Sequence, residues 1–251
     1  MIRLKSQDEI NKIRAAGRLV KAVLDAMQAA IHPGISTYEL DQVAMKVIEA
    51  AGGSGPCIGY GDPPFPTATC ISLDEEIVHG IPSENRILRN GQIVTFDVVC
   101  ELDGWMADAA RTFPVGEISP EKQALMDAAE AAFWAGFSQA KIGNRVGDIS
   151  AAVQNYAESH GYSVIRELTG HGIGREMHEA PDVPNYGRPG RGPRLQEGMV
   201  ICIEPMIAKG ERYVTLGEDQ WTVAMRDHEP SAHYENTIVV TADGPQILTQ
   251  G

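Results

Sequence analysis

No apolar run in the chain exceeds a few residues, far short of the roughly 20 that a membrane-spanning helix needs, so no transmembrane segment is expected. The stretch from Met1 to Asp8 has no apolar h-region either, and the expected compartment is the cytoplasm. Positive charge is scarce. There are 21 Lys and Arg against 34 Asp and Glu, a net charge of −13. That excludes the basic face that nucleic-acid docking requires. The one basic cluster, Arg188, Arg191 and Arg194, lies in a Pro/Gly-rich stretch and reads as a solvated loop. The four cysteines (57, 70, 100 and 202) form no C-x-x-C pair, which removes a zinc ribbon and a thioredoxin-like motif. They read as reduced thiols. There is no H-E-x-x-H, and Gly170-His171-Gly172-Ile173-Gly174-Arg175 fails the G-x-G-x-x-G test.

What remains is an ordinary globular composition. The 251 residues are 43% hydrophobic and 22% charged, enough for one large folded domain or two small ones. Ser6-x-x-Glu9 is a capping box, and Ile10, Ile13, Gly17, Val20, Leu24 and Met27 follow at helical spacing until His32-Pro33-Gly34. Ser36-x-x-Glu39 opens a second helix that Gly52-Gly53 ends. Ser119-Pro120-Glu121 starts a third, running to about Ala140. Asp148 is expected to cap a fourth, which Gly161 ends. Residues 93–99, 200–207 and 237–241 read as strands, and 52–66 as a Gly/Pro-rich loop.

The halves repeat each other. Gly34, Leu40, Ala44 and Gly52 fall opposite Gly143, Ile149, Val153 and Gly161 at an offset of 109. Leu88-x-x-Gly91-x-Ile93-Val94-x-x-Asp97 falls opposite Leu195-x-x-Gly198-x-Val200-Ile201-x-x-Glu204 at 107. His79-Gly80-Ile81 resembles His171-Gly172-Ile173. Two halves, about 1–118 and 119–251, related by a pseudo-twofold axis are expected to form one catalytic domain. The two matching strands would each present a carboxylate near that axis. Burying several carboxylates is tolerable only if they are protonated, paired with bases or bound to metal.

More candidates point the same way. Asp103-Gly104 is a turn signal between Asp97 and Asp108, so a hairpin would bring those two together. Glu204 interrupts an apolar strand just before Pro205, and Glu235 precedes another. His171 lies between glycines that let a ligand approach. His79 and His178 also sit beside loop-forming residues.

Taken together, the segments from Cys70 to Pro82, Asp97 to Phe113, Gly170 to Glu179, Gly198 to Met206 and Trp221 to Glu235 resemble the type I methionine aminopeptidases of the short bacterial kind, over essentially the whole chain. The resemblance implies the α/β "pita-bread" fold: pseudo-twofold halves, an antiparallel sheet and helices on the outside. It implies a site for two divalent ions. Asp97 would hold one, His171 and Glu204 would lie on the side of the other, and Asp108 and Glu235 would bridge. Four carboxylates balance two divalent charges, and one imidazole among oxygens suits Mn, Fe, Co or Zn better than Mg or Ca. It implies that Glu204 relays a proton while His79 and His178 contact the substrate. Tyr60, Phe65, Cys70, Met177 and Trp221 match the family's pocket for a methionine side chain. A narrow mouth would admit only a small second residue. The expected partners are nascent polypeptide N-termini, with the Arg188–Arg194 loop the one feature offered to a ribosome, and the expected state is a monomer.

The chain departs from the family pattern at Met177, where an aromatic is usual, and at Ala180, where an acid is usual. It departs also at Asp74, His233 and Asn236, where Asn, Gln and His are usual. The 52–66 loop differs in length. Two other readings stand beside this one: an Xaa-Pro peptidase of the same fold, and a non-catalytic binding protein built on it.

Overall fold

The computed structural model describes residues 1–250. Its helices are α1 (Gln7–Ala29), α2 (Thr37–Ala50), α3 (Pro120–Phe137) and α4 (Val146–Ser159). The strands of the first half are β1 (Cys70–Leu73), β2 (Glu76–Val78), β3 (Ile93–Leu102) and β4 (Trp105–Pro114). Those of the second half begin with β5 (Ser163–Val164), β6 (Thr169–Gly172), β7 (Glu179–Pro184), β8 (Val200–Ile203) and β9 (Met206–Ala208). They end with β10 (Val214–Leu216), β11 (Val223–Met225), β12 (Ser231–His233), β13 (Asn236–Thr241) and β14 (Gly244–Ile247). Among the described residues no helix is long and apolar enough to cross a membrane.

Both capping boxes form. Ser6 Oγ accepts from Glu9 N–H while the Glu9 carboxylate accepts from Ser6 N–H, and Ser36 and Glu39 repeat the exchange. The fourth helix starts differently from expectation. Arg145 is its N-cap, and Asp148 sits three residues in, accepting from Arg145 N–H at 2.7 Å and Gly190 N–H at 2.8 Å. Asp148 therefore caps from the N3 position, satisfying the Arg145 N–H, and also ties a loop to the helix start. Helix α3 stops at Phe137, short of Ala140, because Gln139 and Ala140 bond back three residues and tighten the last turn.

The expected strand 200–207 is two strands. Pro205 has no N–H to continue a ladder, and the chain changes sheets there. Strand β8 pairs with β13 and β6, and β9 with β12 and β5. Glu204 stands at the switch.

The sheets are antiparallel throughout: β1-β3-β4, β10-β11-β2, β12-β9-β5 and β14-β13-β8-β6-β7. The order β1-β3-β4 in the first half repeats as β6-β8-β13 in the second, each with its own helix pair. This is the pseudo-twofold pita-bread arrangement, helices outside and strands toward the axis. Helix α1 buries Ile13, Val20, Val23 and Met27 against Phe96, Val98, Trp105 and Ala107. Helices α3 and α4 bury Phe133, Ile149 and Val153 against Ile201, Ile203, Ile238 and Val240. At Gly17 the C-terminal segment comes so close to α1 that a Cβ would lie 2.1 Å from the Leu248 carbonyl oxygen.

Candidate active site

The β3–β4 hairpin turns at Asp103 and Gly104, both with positive φ (52° and 73°), as a two-residue hairpin turn matching strand twist requires. Its register pairs Val99 with Asp108, so Asp97 and Asp108 are diagonal neighbours on one face. The other half supplies three more groups. Asn236 pairs with Ile203, which sets Glu235, just before β13, beside Glu204, just after β8. The β6–β7 ladder shifts register between Gly170 and Gly172, and the irregularity carries His171. Thr237 clasps the halves together. Its hydroxyl accepts from Asp108 N–H at 2.9 Å and donates to Asp108 O at 2.9 Å, while Glu235 N–H donates to Ala110 O.

The result is a buried cluster. Asp108, His171, Glu204 and Glu235 are 2–8% exposed. His171 Nε2 lies 3.7 Å from Asp108 Oδ2 and 3.6 Å from Glu204 Oε1. His171 Nδ1–H donates to Gly172 O at 2.9 Å, which leaves the Nε2 lone pair facing the acids. Asp97, Asp108, His171, Glu204 and Glu235 all line one cavity of about 250 Å³ together with His79 and His178.

Burial pushes all four carboxyls above the usual carboxylate range, and acidic neighbours push Asp108, Glu204 and Glu235 further. Asp108 Oδ1 and Glu235 Oε1 have no hydrogen-bond partner. Four acids gathered in low dielectric cannot stay ionised on their own. Orphaned oxygens, raised carboxyls and an imidazole lone pair form a donor set that fits divalent cations.

One member of this cluster was read in the sequence only as a reduced thiol. Cys202 Sγ lies with ligand atoms of Asp108, His171 and Glu235, all within 4.8 Å of one another. Burial, and then the nearby acids, push its thiol well up, so it stays protonated. It lies 3.5 Å from Thr237 Oγ1.

The cavity opens on a smaller apolar one of about 120 Å³, walled by Tyr60, Phe65, Cys70, Met177 and Trp221 with Cys57 and Val99, and floored by Asp97 and Asp108. All five pocket residues read from the sequence line it, including Tyr60 from the 52–66 loop. Val99 was not foreseen. Phe65 meets Trp221 edge-on at 5.2 Å, and Trp221 Nε1–H holds Pro63 O at 2.9 Å. His79 and His178 stand where the two cavities meet. Burial pulls His79 and His171 down to about 4, with His178 adding to both, and partial burial lowers His178 as well. All three are neutral at pH 7. Tyr60 Oη and His178 Nδ1 are 2.8 Å apart.

Of the departures, Asp74 lies away from the cluster, tying Gln92, Ile93 and Lys122 together. Asn236 accepts from Arg111 and Thr249. His233 is buried beside Glu204 and Glu235.

Residues 11–242 match metallopeptidase family M24. A methionine aminopeptidase of Clostridium acetobutylicum is 46% identical over 249 residues, 99% of each chain. The crystal structure of methionine aminopeptidase from Rickettsia prowazekii covers the whole of both chains with a TM-score of 0.97 at 39% identity. Prolidase from Pyrococcus furiosus shares the fold, with a TM-score of 0.80 at 22% identity over 99% of this chain and 65% of its own. The family match over residues 11–242, with full-length likeness to the curated relative and to the Rickettsia structure, shows the family: the chain belongs to the methionine aminopeptidases of metallopeptidase family M24.

Proposed function

We propose that the protein removes the N-terminal methionine from nascent proteins and peptides whose second residue is small, hydrolysing the first peptide bond at a site for two divalent ions. The observation that carries this is the join between the two cavities. A half-open, mostly apolar pocket ends directly on Asp97 and Asp108. Its volume is about 120 Å³. A methionine side chain has four heavy atoms. Sulfur, aromatic and thioether walls suit a flexible thioether.

In this reading Asp97, Asp108, His171, Glu204 and Glu235 are the residues that would hold the ions. Bound there, two divalent ions supply Lewis acidity toward the scissile carbonyl and activate a water near neutral pH. The side chains do the rest. Glu204 takes the proton from the water and delivers it to the leaving amine. A Tyr60 hydroxyl donating to His178 Nδ1 leaves the His178 proton on Nε2, where it can stabilise charge developing on the carbonyl oxygen. His79, neutral and at the pocket entrance, contacts the substrate backbone. Tyr60 and His178, their rings 5.5 Å apart, narrow the mouth against bulky second residues. Such an enzyme works as a monomer where nascent chains emerge, in the cytoplasm.

The test is a peptide panel with cobalt-loaded protein. Met-Ala-Ser should lose methionine, Met-Leu-Ser should react far more slowly, and Ala-Pro-Ser should be inert. Efficient cleavage of Ala-Pro-Ser would favour an Xaa-Pro peptidase. Inertness toward all three would favour a binding protein.

A further inference from the structure

Glu204 and Glu235 face a further side chain, His233, at the end of β12 and only 1% exposed. Its main chain is satisfied. The N–H donates to Thr112 Oγ1 at 3.1 Å, and the carbonyl accepts from the same hydroxyl at 3.0 Å. Its ring is not, since neither Nδ1 nor Nε2 has a hydrogen-bond partner. A buried imidazole left in that state is costly, and such groups are rare unless a function or a bound species accounts for them.

The direction of the ring supplies the account. Nε2 lies 3.7 Å from Glu204 Oε2 and 4.0 Å from Glu235 Oε2. The other oxygen of Glu204, Oε1, faces His171 Nε2 at 3.6 Å. Two imidazoles therefore flank one carboxylate, but they differ in kind. His171 gives its Nδ1 proton to Gly172 O and keeps a lone pair on Nε2. His233 has no acceptor at Nδ1, so its single proton belongs on Nε2, where two carboxylate oxygens wait. The cavity walls include Glu204 and Glu235 but not His233, which stands behind them. A shift on the order of 0.5–1 Å brings either oxygen within hydrogen-bond reach.

We propose that His233 is a positioning residue, an Nε2–H donor shared by Glu204 and Glu235 that fixes both carboxylates from the side away from His171. It acts on metal affinity through those two acids. The inference rests on the reading of this site as a divalent-metal centre. Outer partners of ligating carboxylates orient them and typically contribute 10- to 100-fold in metal affinity.

Calorimetric titration of metal-free protein with cobalt(II) tests it. His233→Gln keeps an N–H donor. His233→Leu keeps the bulk and removes the donor, and His233→Met is a second donor-free variant should leucine impair folding, which circular dichroism reports. Wild type and His233→Gln should bind cobalt within about threefold of each other, and the donor-free variants 10- to 100-fold more weakly. The visible spectrum of bound cobalt should be the same in all. Donor-free variants that bind as tightly as wild type would overturn the proposal. So would a changed spectrum with His233→Gln as weak as His233→Leu, which would make His233 a ligand. A wild type that takes up no cobalt would remove the metal reading itself.

Discussion

Removing one oxygen atom from Tyr60 should slow the reaction without loosening the fold. Tyr60 is 43% exposed, and its hydroxyl meets His178 Nδ1 at 2.8 Å. Phenylalanine keeps the ring against the imidazole, so the stability change should stay within about 0.5 kcal/mol. What is lost is one neutral hydrogen bond, about 0.5–1.5 kcal/mol. At about 1.36 kcal/mol per tenfold in rate, kcat/KM should fall roughly 2- to 13-fold. His178→Ala removes the proposed donor to the carbonyl oxygen and should cost about 10²–10³ in kcat. The two effects share one route, so Tyr60→Phe should change nothing further in the His178→Ala background. The assay is methionine release from Met-Ala-Ser by the four proteins of the cycle, with a thermal melt of each. An equal fall in both backgrounds would show that Tyr60 acts without His178 and overturn the shared route. So would an unchanged kcat/KM in the single variant.

Three further outcomes follow from the geometry. In the metal-free protein, raised carboxyls at Asp97, Asp108, Glu204 and Glu235 hold protons that the unfolded chain lacks, so stability present at low pH is lost as pH rises through those values. The depressed histidines, His79 and His171 at about 4 and His233 at about 3, act with the opposite sign, and stability falls as pH drops below about 6.5. Cobalt uptake should therefore release protons and abolish the alkaline fall but not the acid one. Calorimetry in two buffers of different ionisation enthalpy would contradict this by finding no proton release. Gly17→Ala should destabilise by up to about 2 kcal/mol in urea unfolding, since overpacking against Leu248, about 1–3 kcal/mol, exceeds the helix-propensity gain of about 1 kcal/mol. A stabilised variant would show that the close approach is not there. Met177→Ala should lower kcat/KM for Met-Ala-Ser roughly 10- to 200-fold by enlarging the pocket. Unchanged kinetics would take Met177 out of the wall.

Local signals carried much of the fold. Ser6, Ser36 and Ser119 cap the helices that their sequences announce, and Asp103-Gly104 makes the turn that joins Asp97 to Asp108. The internal repeat was legible because each half needs the same glycine breaks and the same buried strand. Less legible was anything decided between sheets. Pro205 divides 200–207 because β8 and β9 belong to different sheets, and no local pattern states that. Asp148 has the residue type of an N-cap, yet it caps from three residues in, where the carboxylate also binds Gly190 from a distant loop. The cluster residues stood out as acids in apolar surroundings. His233 and Cys202 did not stand out as a pair of groups facing Glu235, since that depends on how β8 and β12 come to lie against the same acids.

Methionine release by this buried acid cluster depends on metal held there. The direct measurement strips the protein with chelator, adds back Mn, Fe, Co or Zn separately, and follows methionine from Met-Ala-Ser, with Asp108→Asn alongside. Asp108 sits at the centre of the cluster, with one oxygen orphaned and the other 3.7 Å from His171. Stripped protein should release no methionine, at least one of the four metals should restore release, and Asp108→Asn should not recover. Full activity in the stripped protein, or in Asp108→Asn, would contradict that dependence.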